Sequence, residues 1–123
     1  MVSKDFVIKA GHYQLENLVA IVDYNRLQID GRVREVMNID PIEDKYRSFG
    51  WDVLRINGHD MDQVVQALQQ GKERAGTGKP LAIIAETIKG KGISFCEDVA
   101  GWHSKIRVTQ ADTRNLTKRL KET

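Results

Sequence analysis

Apolar residues gather in short runs separated by stretches of helical spacing, and this alternation predicts an α/β fold with a parallel sheet. Leu18-Val19-Ala20-Ile21-Val22-Asp23 is continuous, largely β-branched and ends in a polar residue, which is how a strand buried on both sheet faces reads. Leu81-Ala82-Ile83-Ile84-Ala85-Glu86 has the same character and begins directly after Pro80, where a missing N–H does little harm. Between them Trp51-Asp52-Val53-Leu54-Arg55-Ile56 carries polar interruptions without strict alternation, so it is expected nearer an edge.

Caps mark the helices. Asp40-Pro41-Ile42-Glu43 combines an N-cap, a proline at the first helical position and an acid three residues after the cap, predicting a short helix to about Phe49 that Gly50 ends. Asp60-Met61-Asp62-Gln63 repeats the cap, with Val64, Val65 and Leu68 predicted on the packed face of a helix ending before the Gly76-Thr77-Gly78 turn. Phe6 to Glu16 and Val108 to Glu122 are further helix candidates, the second with Leu116 and Leu120 on one face. The fold class expected is a partial parallel sheet flanked by helices. Its outer strands would present unpaired backbone groups unless another element or chain covers them.

Composition changes the picture little. At 41% hydrophobic and 29% charged the chain reads as an ordinary globular sequence. Its formal charge of +2 provides no large field, so neither nucleic acid nor a membrane is expected as a partner. The basic stretch Arg114 to Lys121 reads as a solvated helix face or tail. A lone cysteine, Cys96, permits no internal disulfide and fits a cytoplasmic setting, where it would serve as a small packing residue. No apolar run approaches the roughly 18 residues that span a bilayer.

In open α/β sheets ligands bind beyond the carboxyl ends of the strands, which directs attention to Asp23-Tyr24-Asn25-Arg26-Leu27-Gln28-Ile29-Asp30-Gly31. An asparagine amide oxygen and a nearby backbone carbonyl are hard neutral ligands suited to Mg²⁺ carrying a phosphate, and Asn25 and Leu27 offer that pair. The same residues also read as a turn at Asn25 and a hairpin or loop closed by Asp30-Gly31, and spacing does not choose between the two. His12, in a helix candidate, and His59, just before a cap, are expected to be structural.

Asp23 to Gly31 resembles the end of the diphosphate-binding motif of the transketolase family. The resemblance continues through Ala10-Gly11-His12-Tyr13-Gln14-Leu15-Glu16-Asn17-Leu18, Phe49-Gly50-Trp51, Asn57-Gly58-His59-Asp60, Lys79-Pro80-Leu81 and Thr87-Ile88-Lys89-Gly90-Lys91-Gly92. It covers about residues 10–105 and is similar in arrangement to the N-terminal subunit of split transketolases. The organisation expected is therefore a divergent segment 1–9, a transketolase-like diphosphate-binding part 10–105, and a divergent helix or tail 106–123.

The resemblance implies thiamine diphosphate and Mg²⁺ as cofactors. Asn25 would ligate the metal through its side chain and Leu27 through its carbonyl, while Ile29 would press against the cofactor rings. Lys89 and Gly90 would approach the diphosphate. His103, within Trp102-His103-Ser104-Lys105, would be the catalytic group facing cofactor phosphate and substrate, with serine at position 104 where the family usually has glycine. The family's Gly-Asp-Gly, which supplies an aspartate ligand, occurs nowhere in this chain, so the chain is expected to be a truncated part of the domain.

Two functions are open at this level. One is a subunit for ketol transfer between sugar phosphates, completed by a separate pyrimidine-domain subunit; the other is a non-catalytic fragment serving as a homo-oligomerising or protein-interaction module.

Overall fold

The computed structural model describes residues 4–29, 31–103 and 107–121. Helix α1 (Lys4–His12) leads into β1 (Val19–Tyr24), a two-residue hairpin of β2 (Leu27–Gln28) and β3 (Gly31–Arg32), and the single turn α2 (Val33–Val36). Then follow α3 (Ile42–Ser48), β4 (Asp52–Asn57), α4 (Met61–Lys72), β5 (Leu81–Glu86), a 3₁₀ turn at Ala100–His103, and α5 (Gln110–Lys121). Two compact units result: Met1–Asn25 with Ile39–Thr87, and Arg26–Asn38 with Ile88–Thr123.

The first unit holds a parallel sheet of order β1-β5-β4, with Val19 and Asp52 both in register with Leu81. The uninterrupted apolar run of β5 is the central strand, buried from Leu81 to Ala85, and the polar-interrupted β4 lies outermost as expected. On one face Val7 and Ala10 of α1 and Ile42 and Tyr46 of α3 pack with Tyr24, Trp51, Ala82 and Ile84. On the other, Ala67 of α4 packs with Leu81 and Ile83, flanked by Val19, Leu54 and Ile56. The Trp51 indole N–H donates to the Val7 carbonyl at 2.8 Å, locking α1 to the start of β4.

Three expectations need correction. Strand β1 is not buried on both faces: it is an outer strand, and Ile21 is 63% exposed. Asp60 caps α4 as expected, accepting from the amides of Asp62 and Gln63, but the face that α4 buries centres on Ala67 and Gly71, while Val65 and Leu68 are exposed. Gly71 explains this, since a Cβ there would lie 3.0 Å from Val19; close approach along the glycine line puts the small residues innermost. Pro41, not Asp40, occupies the N-cap position of α3, and the Asp40 carboxylate instead accepts the Tyr24 hydroxyl at 2.6 Å.

In the second unit β2 and β3 pair antiparallel, with Leu27 opposite Arg32 and Gln28 opposite Gly31. The C-terminal helix forms at Gln110–Lys121, opened by Thr109, whose amide and hydroxyl both donate to Asp112. Leu116 is half-buried on it, and the side chain of Leu120 lies outside the described residues.

Candidate functional site at the carboxyl ends of the strands

The apolar run of β1 ends at Asp23, and the chain turns away after Tyr24. Asp23 accepts from the hydroxyl of Thr87, the residue following β5, and from the Asn25 amide nitrogen at 3.5 Å. That contact commits the nitrogen of Asn25, rather than its oxygen, to the neighbouring carboxylate. Next to it Arg55, on β4, reaches Glu43 at 2.8 Å and Glu86 at 2.6 Å and lies over the Tyr24 ring. These two carboxylates, hydrogen-bonded to the guanidinium, raise its already high pKa further, so Arg55 is a permanent cation in this clamp.

The remaining candidate residues belong to the second unit. Arg26 (φ 60°) and Ile29 (φ 31°) both adopt left-handed backbone conformations, which for β-branched Ile29 is strained. This places Leu27 in the first strand of the hairpin and leaves Ile29 57% exposed at its end. Arg32, one strand over, forms a two-pronged pair with Asp98 at 2.8 and 2.6 Å, and the Asp98 amide donates to the Lys89 carbonyl at 2.8 Å. The hairpin carrying Leu27 and Ile29 is thereby tied to the loop carrying Lys89 and Gly90. The Arg32 hydrogen bonds hold the Asp98 carboxyl below the usual carboxylate range and raise the guanidinium in turn.

Gly90 has a structural reason of its own. Its φ is +72°, and a Cβ there would stand 2.6 Å from the Cys96 carbonyl oxygen. Cys96 is fully buried, its thiol directed at the Ile93 carbonyl at 3.4 Å, as a packing residue would be. His103 is exposed at the end of the 3₁₀ turn, which packs beside β3, and Phe95 meets Trp102 edge-on at 5.6 Å. Thus Leu27, Ile29, Lys89, Gly90 and His103 fall in one unit and Asn25 in the other, the boundary running between Asn25 and Arg26. Asp30, Ser104 and Lys105 lie outside the described residues. His59 takes a backbone role, its amide donating to the Asn57 side chain, and His12 stacks edge-on against Tyr13.

Sequence reasoning missed the Thr87–Asp23 contact, the Arg55 clamp and the Arg32–Asp98 tie. Only the last two carried any signal, as unlike charges whose spacing gave no hint of pairing. For a Mg²⁺-diphosphate the donor chemistry of Asn25 and the Leu27 carbonyl is right in kind, being hard oxygen, and short in charge. Asp23 is already engaged by Thr87 and Asn25, and among the described residues no group of three or more His, Cys, Asp or Glu side chains is placed to hold a metal ion. Asn25 and Leu27 each suit such a cation in donor type alone, without the carboxylate charge it prefers.

A parallel sheet whose polar residues collect where its strands end has the ligand-binding plan of an open α/β domain. Residues 1–120 match the family described as the transketolase thiamine diphosphate binding domain. The chain is 46% identical over 95 residues to the 6-deoxy-6-sulfo-D-fructose transketolase subunit SqwG of Clostridium sp. (strain MSTE9), an alignment covering 77% of this chain and 34% of that relative. To an apulose-4-phosphate transketolase subunit of Phocaeicola vulgatus it is 44% identical over 94 residues, 76% of this chain and 33% of the relative. The crystal structure of transketolase from Campylobacter jejuni superposes with a TM-score of 0.70 at 34% identity, covering 76% of this chain and 14% of that one. The chain therefore belongs to the transketolase thiamine-diphosphate-binding domain family. It spans about a third of the length of these curated relatives. Among the described residues no helix is long and apolar enough to cross a membrane.

Proposed function

We propose that this chain supplies the diphosphate-anchoring part of a cytoplasmic, transketolase-like enzyme that moves ketol units between sugar phosphates, with a separate subunit providing the pyrimidine-binding domain. The observation that carries this reading is the match of residues 1–120 to the family's thiamine diphosphate binding domain together with Asn25 standing at the carboxyl end of β1. An asparagine amide oxygen is a hard neutral donor of the kind Mg²⁺ takes.

Asn25 through its side chain and Leu27 through its carbonyl would hold Mg²⁺, neutralising diphosphate charge together with Lys89. The positive φ of Gly90 would let the backbone approach the diphosphate, and exposed Ile29 would lie against the rings. Thiamine diphosphate, when bound, supplies the carbon nucleophile for ketol transfer. His103, exposed at the end of its turn, would hydrogen-bond substrate oxygen and hold or release a proton there.

Isothermal titration of the purified chain with thiamine diphosphate, with and without Mg²⁺, tests the reading. Metal-dependent binding that disappears in Asn25→Ala is the expected result. Absence of binding at millimolar cofactor, both alone and with a transketolase partner subunit supplied, would instead favour a non-catalytic role in which the sheet serves as an interaction module.

A further inference from the structure

The opposite end of the sheet holds a concave feature. A cleft of about 500 Å³ opens at the amino ends of β4 and β5, where Asp52 and Leu81 are the first strand residues. Because the strands run parallel, this is the end away from Asn25. Its charged lining is Arg47 from the last turn of α3, Arg74 just beyond α4, Lys79 just before β5, and Asp52.

Three cations therefore face one carboxylate. Asp52 is shared, paired with Arg74 and 3.8 Å from Lys79. Arg47 pairs with Asp44, an i,i+3 pair with side chains 56% and 70% exposed, an arrangement that neutralises little. Arg74 lines the cleft as well. Its side chain is 13% exposed, and its Nε–H is buried with no acceptor among the described residues. An oxyanion entering the cleft would meet the surplus charge of Arg47 and Lys79 beside the guanidinium of Arg74. Leu54 and Leu81 add an apolar wall, and the volume suits a small organic ligand.

We infer that the cleft between Arg47, Arg74 and Lys79 is a binding site for a phosphate group, separate from the family's cofactor region. The phosphate belongs either to free inorganic phosphate or to a small phosphate monoester, and two titrations distinguish these sources. Amide and arginine Nε–H shifts of the ¹⁵N-labelled chain are followed at low ionic strength, first with inorganic phosphate and then with glycerol 3-phosphate.

Saturable shifts at Gly50, Asp52, Lys79 and the Arg74 Nε–H are expected. The affinity should be unchanged in Asn25→Ala and weakened about tenfold or more in an Arg47→Gln/Lys79→Gln double variant, as the loss of one or two charge-assisted contacts implies. Both substituted side chains are largely exposed, so the fold is retained. Tighter binding of the ester assigns the site to a phosphorylated small molecule, and equal binding assigns it to free phosphate. Shifts that stay linear without saturation, or equal affinity in the double variant, overturn the inference. Because it does not depend on cofactor binding, it stands or falls separately from the proposed function.

Discussion

Thr87 donates its hydroxyl to the carboxylate of Asp23, joining the residue that follows β5 to the carboxyl end of the adjacent strand β1. Asp23 in turn receives the Asn25 amide nitrogen. An exposed contact of this kind contributes about 1 kcal/mol or less to stability, and its greater effect is on where Asp23, and hence Asn25, stands. Thr87→Val is expected to leave the urea midpoint nearly unchanged while weakening the proposed Mg²⁺-dependent cofactor binding several-fold. A large fall in stability with unaltered binding would show the contact to be structural only.

Gly90 and Gly92 separate two kinds of glycine requirement. Both have positive φ, but a Cβ at Gly90 would collide with the Cys96 carbonyl oxygen at 2.6 Å, whereas nothing lies within 4 Å of one at Gly92. Gly92→Ala should cost only the conformational penalty of about 1 kcal/mol. Gly90→Ala adds displacement of backbone and should cost about 2–3 kcal/mol. Hydrogen exchange across residues 88–103 measures the difference, and equal protection in the two variants would contradict it.

Trp51 is 2% exposed, and its indole N–H satisfies the Val7 carbonyl in the interior. Trp51→Phe keeps an aromatic ring against Tyr46 but removes the donor and some volume. The expected loss is about 2–3 kcal/mol, from an unsatisfied buried carbonyl together with a partial cavity. Chemical denaturation followed by far-UV circular dichroism checks this; a loss below about 1 kcal/mol would mean that water or a shifted ring replaces the donor.

Glu16 accepts from the amides of Gly78 at 2.9 Å and Gly76 at 3.0 Å, and those backbone hydrogen bonds hold its carboxyl below the ordinary glutamate value. Asp60, accepting from the Gln63 amide and side chain and from the Asp62 amide, is likewise depressed. A carboxyl whose folded pKa lies below its unfolded one stabilises the fold fully above the unfolded value, and that contribution is lost as pH falls through the folded value. Stability should therefore decline as pH drops below the ordinary carboxylate range. Glu16→Gln and Asp60→Asn should each make that acid limb shallower; an unchanged pH profile of the denaturation midpoint in both would refute the linkage.

Much of the first unit was legible because its cues are local. The apolar run 81–86 is β5, and the cap at Asp60 does what its spacing implies. The transketolase resemblance, which rests on short motifs in order, agrees with the family match and the superposition. The candidate site was legible only as residue types: Asn25 and Leu27 could be named as hard-oxygen donors, but that Asn25 turns its amide nitrogen to the accepting carboxylate of Asp23, itself held by Thr87 after β5, is a tertiary arrangement.

The amino-acid sequence by itself determined where the strands of the parallel sheet and the helices after Asp40 and Asp60 form and which residue types stand at the strand ends, because burial pattern and capping act between residues a few positions apart. Tertiary structure decided the partners. It gave Asp40 to Tyr24 instead of to its own helix, drew α4 in along Gly71 so that Val65 and Leu68 stayed outside, and joined Glu16 to Gly76 and Arg32 to Asp98. Each of these contacts joins residues from separate elements or loops, and which pairs meet depends on how closely sheet and helices can approach, a property of side-chain volume and strand order that no local spacing encodes.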